Sequence, residues 1–350
     1  MLCATLWIST AFASPAVVKT HNDSPPTIDA VPLFRDAPRK NLAAFRTLGL
    51  DRLWRIPQTT ETGRQQLLLT PEVQSVTVDG IGTTSSTIPN DPFLYYQWGL
   101  QNNGDWGGVL GADIDAQKAW TISTGSDILV AVLDSGINLF EPDISSQLYF
   151  NKEEFDDNTD SDDNGFVDDI TGWDFADHDN DTTDVSGHGS NVAGILAGTG
   201  NNGIAFTGVC WDCEILPVRV LGDDGWGYTS WWAAGIVYAV DNGAQVINMS
   251  LVSDYNDTAM CDAIAYAKAS DVAVFASAGN YDTTAPSYPA NCEEAVSIAA
   301  TNHKDERAIP FCWGGGSNYG DKIFLSAPGD NIYGYSTIPG AYSGYYCGTS

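Results

Sequence analysis

Short apolar runs recur along the chain from residue 112 onward, and each stops at Asp, Ser or Gly. They occupy residues 128–133, 215–221, 246–251, 272–276, 295–300 and 323–325. Between several of them lie helical stretches, at 189–198, 230–242 and 258–270. Continuous apolar strands alternating with helices predict an α/β fold, a doubly wound, mostly parallel sheet with helices on both faces. In such sheets ligands bind at the carboxyl ends of the strands, which is where the polar residues of this chain cluster. Upstream, the pattern predicts a small α/β unit, with a helix over 41–53 and short strands at 66–69 and 73–78. Residues 14–40, rich in Pro, Asp and Thr, read as poorly ordered, and 80–90 as an exposed linker of the kind proteases cut. No internal repeat is visible in the sequence.

Charge sharpens this division. The 350 residues carry a formal charge of −30. Residues 1–82 hold eight Lys/Arg against seven Asp/Glu, and the remainder holds seven against 38. A boundary near 82–90 follows from charge alone. An acidic body repels nucleic acid and anionic membranes, so neither is expected as a partner. Acidity of this kind serves solubility, and it also suits a need for Ca²⁺. No apolar run is long enough to cross a bilayer. Residues 2–13 are apolar and small, and Ala11-Phe12-Ala13 fits the small-x-small rule for signal cleavage, although no basic n-region precedes it. Residues 1–13 therefore read as a signal peptide, incomplete as written, and the protein as secreted.

Of the seven cysteines, Cys3 lies in that leader. The other six allow 15 pairings, among which sequence does not choose. Cys210 and Cys213 form one C-x-x-C; zinc would need two further ligands nearby, so a local disulfide is the expectation, in line with export.

Four positions carry candidate chemistry. Asp134 ends the strongest apolar strand, in Ala131-Val132-Leu133-Asp134-Ser135-Gly136. His188 opens a helix of small residues, in Ser186-Gly187-His188-Gly189-Ser190-Asn191; its glycines admit other backbone, and close packing fixes the imidazole as a general base requires. Asn280 follows another apolar strand, in Ala276-Ser277-Ala278-Gly279-Asn280, as a turn residue or an amide donor. Ser350 closes Cys347-Gly348-Thr349-Ser350. Each signal is weak by itself.

Taken in order, they resemble the subtilisin-like serine proteases (subtilases, peptidase family S8), whose acid, base and nucleophile follow one another as Asp, His, Ser. The resemblance runs from about Asn90 to Ser350. It includes Asn90-Asp91-Pro92, Gln97-Trp98-Gly99, Val246-Ile247-Asn248-Met249-Ser250-Leu251, Ser317-Asn318-Tyr319-Gly320 and Ala327-Pro328-Gly329. It implies a serine endopeptidase with no catalytic cofactor. Ser350 attacks the peptide carbonyl, His188 relays its proton, Asp134 holds the imidazole, and Asn280 with the Ser350 N–H holds the oxyanion. It further implies that Ser250, Leu251, Ser277, Ala278 and Gly279 line the substrate cleft and that Tyr228 walls it. The substrate adds as a strand. Polypeptides and the chain's own propeptide are the implied partners, and a monomer the implied state.

Calcium enters twice. Asp160-Ser161-Asp162-Asp163-Asn164-Gly165 matches the start of an EF-type loop, with Asp168 at its ninth position, but Thr171 stands where a bidentate Glu belongs. The resemblance implies a second structural Ca²⁺ on Asp91, Asp143 and Asn202, completed by the Ile204 and Phe206 carbonyls. Residues 41–80 resemble the family's inhibitory propeptide, best at 71–76, so residues 14–85 are expected to be the propeptide and 86–350 the catalytic domain, with autocleavage between Gly80 and Asn90. Three departures stand out. The usual His-Gly-Thr-His is His188-Gly189-Ser190-Asn191, and the usual Ser-Leu-Gly is Ser250-Leu251-Val252, which puts specificity in doubt. The sequence also stops on Ser350, where the family continues with a helix that helps place the nucleophile. From this the 350-residue chain is expected to be inactive and aggregation-prone, and the full gene product active. A non-catalytic, calcium-stabilised binding protein on the same scaffold, and a processing protease with one dedicated target, are the alternatives.

Overall fold

The structure, a computed structural model, describes residues 14–22, 25, 30–32, 46, 50–59, 61–78, 88–335 and 343–350. The expected leader, most of the helix expected over 41–53 and most of the expected linker lie outside the described residues. The chain divides into two compact units, residues 1–84 and 85–350.

In the first unit, strands β1 (Ser14–Thr20), β2 (Val31–Pro32), β3 (Leu53–Thr59) and β4 (Val73–Val78) form a sheet in the order β2-β3-β1-β4. The described pairings are antiparallel. Two sequence expectations fail here. Residues 14–20 are a central strand, because Ala16 and Val18 are fully buried in an alternating pattern that the neighbouring Pro-rich stretch obscures. Residues 66–68 belong to helix α1 (Glu61–Leu68) and not to a strand. Gln and Leu are good helix formers, and only Leu67 enters the core, with Val18, Ile56 and Val73; Leu68 and Leu69 are exposed.

The second unit is built on a seven-stranded parallel sheet. After a short helix, α2 (Ala116–Trp120), its strands and helices follow as β5 (Leu129–Asp134), β6 (Trp173–Asp174), α3 (His188–Ala197), β7 (Glu214–Arg219), α4 (Thr229–Asp241), β8 (Val246–Met249), α5 (Thr258–Ala269), β9 (Ala273–Ser277), β10 (Val296–Thr301) and β11 (Leu325–Pro328). A hairpin of β12 (Ile332–Tyr335) and β13 (Ser343–Tyr346) follows. Spatial order is β11-β10-β9-β8-β5-β7-β6. Every residue of β5 is buried, as a doubly covered strand requires. Its alternating side chains feed two cores. Leu129, Ala131 and Leu133 pack with Ile236 of α4 and Ile264 of α5; Val130 and Val132 pack with Val192 and Ala193 of α3. Helices therefore cover both faces, as predicted. Truncating a side chain such as Leu133 to Ala would cost about 2–5 kcal/mol.

The cysteines pair as Cys210–Cys213, Cys261–Cys292 and Cys312–Cys347. The chain leaves β5 for one side of the sheet and returns past it through β8 for the other, so the switch in strand order falls at β5. In this class of fold that crevice is where a site forms.

Candidate active site

Asp134 is the last residue of β5 and is completely buried. One carboxylate oxygen accepts the Ser135 N–H at 2.8 Å and meets His188 Nδ1 at 2.7 Å. The other is buried and has no hydrogen-bond partner among the described residues. His188 is the first residue of α3, whose tight entry rests on Gly187 at φ 85°. Asp184 organises that entry: its carboxylate accepts the Gly187 N–H (2.8 Å), the Ser190 N–H (2.9 Å) and the hydroxyls of Ser190 (2.6 Å) and Ser135 (2.9 Å). The Gly189 N–H in turn donates to Ser135 Oγ at 3.0 Å. A Cβ on Gly189 would stand 2.1 Å from the Gly136 carbonyl, so only glycine lets the helix come this close to the Asp134 turn. The negative charge of Asp134 raises the His188 pKa above its ordinary value; burial opposes the shift, while the hydrogen bond to Asp134 and the charge of Asp184 reinforce it. Asn191, where the family has a second His, donates to the Tyr335 carbonyl and ties α3 to β12.

Ser350 and His188 line one cleft of about 700 Å³. Among the described residues no hydrogen bond joins their side chains; the Ser350 hydroxyl donates to the Ser250 carbonyl at 3.5 Å. Asn280 lies beside the Ser350 loop: its amide oxygen accepts both the N–H and the hydroxyl of Thr349, each at 2.9 Å. The same hydroxyl accepts the Gly279 N–H at 3.0 Å. With its oxygen committed to Thr349, the Asn280 amide NH₂ is left as the donor end.

Tyr228, Ser250 and Leu251 line the cleft, together with Trp226, Val252 and Tyr255. Tyr228 and Trp226 are strongly exposed on the wall. Ser277 faces an adjoining apolar cavity of about 230 Å³ that shares Ser250 and Ser350 with the cleft, and its hydroxyl donates to the Leu251 carbonyl. Ala278 and Gly279 spend their backbone groups within the protein: the Ala278 N–H on Ile298, its carbonyl on Asn318, and the Gly279 carbonyl on the Asn318 N–H.

The acidic residues sort into two places. Asp91 and Asp143, both buried, approach the 201–206 loop. Asp91 accepts the Asn201 and Asn202 N–H groups, and Asp143 accepts the Asn202 amide (2.7 Å), the Phe206 N–H (3.0 Å) and the Tyr335 hydroxyl (2.7 Å). The Asp91 pKa is raised by burial, with Asp143 adding to it. In the acidic loop, ligand atoms of Glu154, Asp162 and Asp169 lie within 4.8 Å of one another. Asn164 joins this group through bonds to Asp162 and Asp169. Asp160 and Asp168 do not: Asp160 accepts the Asn164 and Gly165 N–H groups, and Asp168 those of Asp157 and Asn158. Burial raises the Asp169 pKa despite hydrogen bonds from Tyr238, Asn164 and Asn151. Glu154 and Asp169 lie outside the EF-type spacing, so periodicity does not find them; the only signal is the density of acid around them. Asp184 is likewise missed by motif reading, though it stands just before α3, where a carboxylate can cap the helix; Asn318 and Thr349 stand in matched motifs, but no role is read for them there.

A buried carboxylate on an imidazole, with a serine hydroxyl on the same cleft, is the layout of a serine peptidase. The family model described as "Subtilase family" (Peptidase_S8) matches residues 125–350. Thermitase of Thermoactinomyces vulgaris is 34% identical over 263 residues, 75% of this chain and 80% of thermitase. The cell wall-associated protease of Bacillus subtilis is 37% identical over 267 residues, which are 75% of this chain but 27% of that protein. Among solved structures, one titled as proteases from Pseudoalteromonas arctica PAMC 21717 superposes with a TM-score of 0.60 at 27% identity, covering 75% of this chain and 82% of that one. The chain belongs to the subtilase family of serine-type endopeptidases.

Proposed function

We propose that the protein is an endopeptidase that hydrolyses polypeptides through an acyl-enzyme on Ser350. The 2.7 Å contact between the buried Asp134 and His188 carries this reading. Asp134 fixes the tautomer with Nδ1 protonated, leaving Nε2 to accept the Ser350 proton as Oγ attacks the carbonyl and later to return it to the leaving amine. The carbonyl oxygen becomes an oxyanion held by the Asn280 amide NH₂ and the Ser350 N–H. Ser250, Leu251 and Tyr228 contact the substrate strand, and Ser277, Ala278 and Gly279 shape the cleft from behind.

Calcium is structural in this reading. Asp91, Asp143 and Asn202 hold one ion, with the Ile204 and Phe206 carbonyls. Glu154, Asp162, Asp169 and Asn164 hold another, and Asp160 and Asp168 serve as supports for the loop. The fit of the second site rests on donor chemistry: carboxylate oxygens of Glu154, Asp162 and Asp169 lie within 4.8 Å of one another, the hard oxygen set Ca²⁺ prefers; the first rests on the buried carboxylates of Asp91 and Asp143 beside the 201–206 loop. The protein is made as an exported precursor, with a signal peptide over 1–13 and an inhibitory propeptide over 14–85, and acts outside the cell as a monomer; the cell-wall location in the name of one relative supports this. The full-length protein should cleave denatured casein at many sites, and a fluorophosphonate should stop it. Binding of peptides without cleavage would favour the non-catalytic alternative.

A further inference from the structure

Catching an oxyanion between the Ser350 N–H and the Asn280 side chain requires two separate loops to stay in register. We propose that one segment, residues 311–318, is the clamp that positions both. The inference rests on the roles proposed above for Ser350 and Asn280.

One end of the segment grips the nucleophile loop. Cys312 is bonded to Cys347, three residues before Ser350. Trp313 Nε1 donates to the Cys347 carbonyl at 2.8 Å. Phe311 is buried with Ala300 and Ala308, and Cys347 packs on that cluster. The other end grips the oxyanion loop. The Gly316 N–H donates to the Asn280 carbonyl at 3.1 Å, and the Asn318 N–H to the Gly279 carbonyl at 2.8 Å. The buried Asn318 side chain donates to the Ala278 carbonyl at 2.9 Å and accepts the Tyr281 N–H at 2.9 Å. Residues 278, 279, 280 and 281 are thus all tied to it. The fit is close: a Cβ on Gly315 would lie 2.6 Å from the Asn280 carbonyl, and one on Gly279 2.4 Å from Asn318 Nδ2. The segment is itself mounted on β10, where the Ala300 N–H donates to Ser317 Oγ at 2.9 Å. None of residues 311–318 lines the cleft that holds His188 and Ser350. They therefore act through Ser350 and Asn280 and not on the substrate. Misplacement of a reacting group by about 1 Å costs on the order of 10² in rate, so loosening the clamp should appear in kcat.

The test uses the full-length protein, with active sites counted by fluorophosphonate titration. Cys312→Ser with Cys347→Ser opens one grip, Asn318→Asp weakens the other, and Trp313→Phe, the mildest change, removes a single N–H donor. Cys261→Ser with Cys292→Ser removes a disulfide attached to α5 and serves as control. The clamp variants should lose kcat per titrated site, by about 10–100-fold for the first two. Their KM should be unchanged, and their affinity for a peptide boronate should fall in parallel with kcat. The control should lower the melting temperature and leave kcat per site intact. Wild-type kcat per site in the folded clamp variants, or an equal loss in the control, overturns the clamp. A wild-type protein that takes no label at Ser350 overturns the underlying reading, and the clamp with it.

Discussion

At the scale of single residues, the decisive feature is the unequal environment of Asp134 and His188. The carboxylate is sealed at a strand end, while the imidazole is partly exposed on the cleft. The raised His188 pKa has two consequences of opposite sign. Its contribution to stability is present below the ordinary histidine pKa and is lost as pH rises through the raised folded value. As the proposed general base, His188 must be neutral, so kcat/KM should rise only as pH passes above that raised value. Asp134→Asn should move this acidic limb downward and cut kcat by about 10⁴-fold. An unshifted limb would show that Asp134 does not act on His188. Asn280→Ala should lower kcat by about 10²–10³ with little change in KM, read in steady-state kinetics on a chromogenic peptide. Asp134, His188 and Asn280 were legible because each stands where a strand or helix ends, beside glycines that mark close backbone approach. The residues holding them were not. Asp184 and Asn318 act through several hydrogen bonds made across loops, and a sequence carries no trace of which N–H a carboxylate or amide will meet.

At the scale of elements, the parallel sheet was legible from its apolar runs. Those that became β5 and β7 are continuous because both of their faces are covered, while β8, β9 and β10 alternate buried with half-buried positions that are still mostly apolar; α3, α4 and α5 end within a residue or two of their predicted limits. Reading failed in the first unit, whose sheet is short and partly exposed. There the alternation in β1 spans only seven residues beside a Pro-rich stretch, and the leucine run of α1 buries Leu67 while exposing its neighbours. The tight entry of α3 gives a direct test. Gly189→Ala must displace backbone, not a flexible side chain, and should destabilise the fold by about 1–3 kcal/mol. It should also lower kcat, because Asp134 Cβ lies within 3.1 Å of the added methyl. Thermal melts and kinetics on the same preparation check both.

At the scale of the whole molecule, a charge of −30 with carboxylates gathered in one loop cluster leads us to expect that stability depends on the cations available to neutralise them. Ca²⁺ at about 100 times its Kd would add about 2.7 kcal/mol. Chelation by EGTA should therefore lower the melting temperature by roughly 5–10 °C. Asp169→Asn should reduce that response, and a melting temperature indifferent to EGTA and to added Ca²⁺ would remove calcium from the account. Asp134, His188 and Ser350 are proposed to act as one unit on a peptide carbonyl. Peptide mapping of the full-length protein after reaction with a fluorophosphonate tests it most directly. One adduct should form, on Ser350, and at least about 10³ times more slowly in His188→Ala. Labelling elsewhere, or labelling of Ser350 at an unchanged rate without His188, would contradict it.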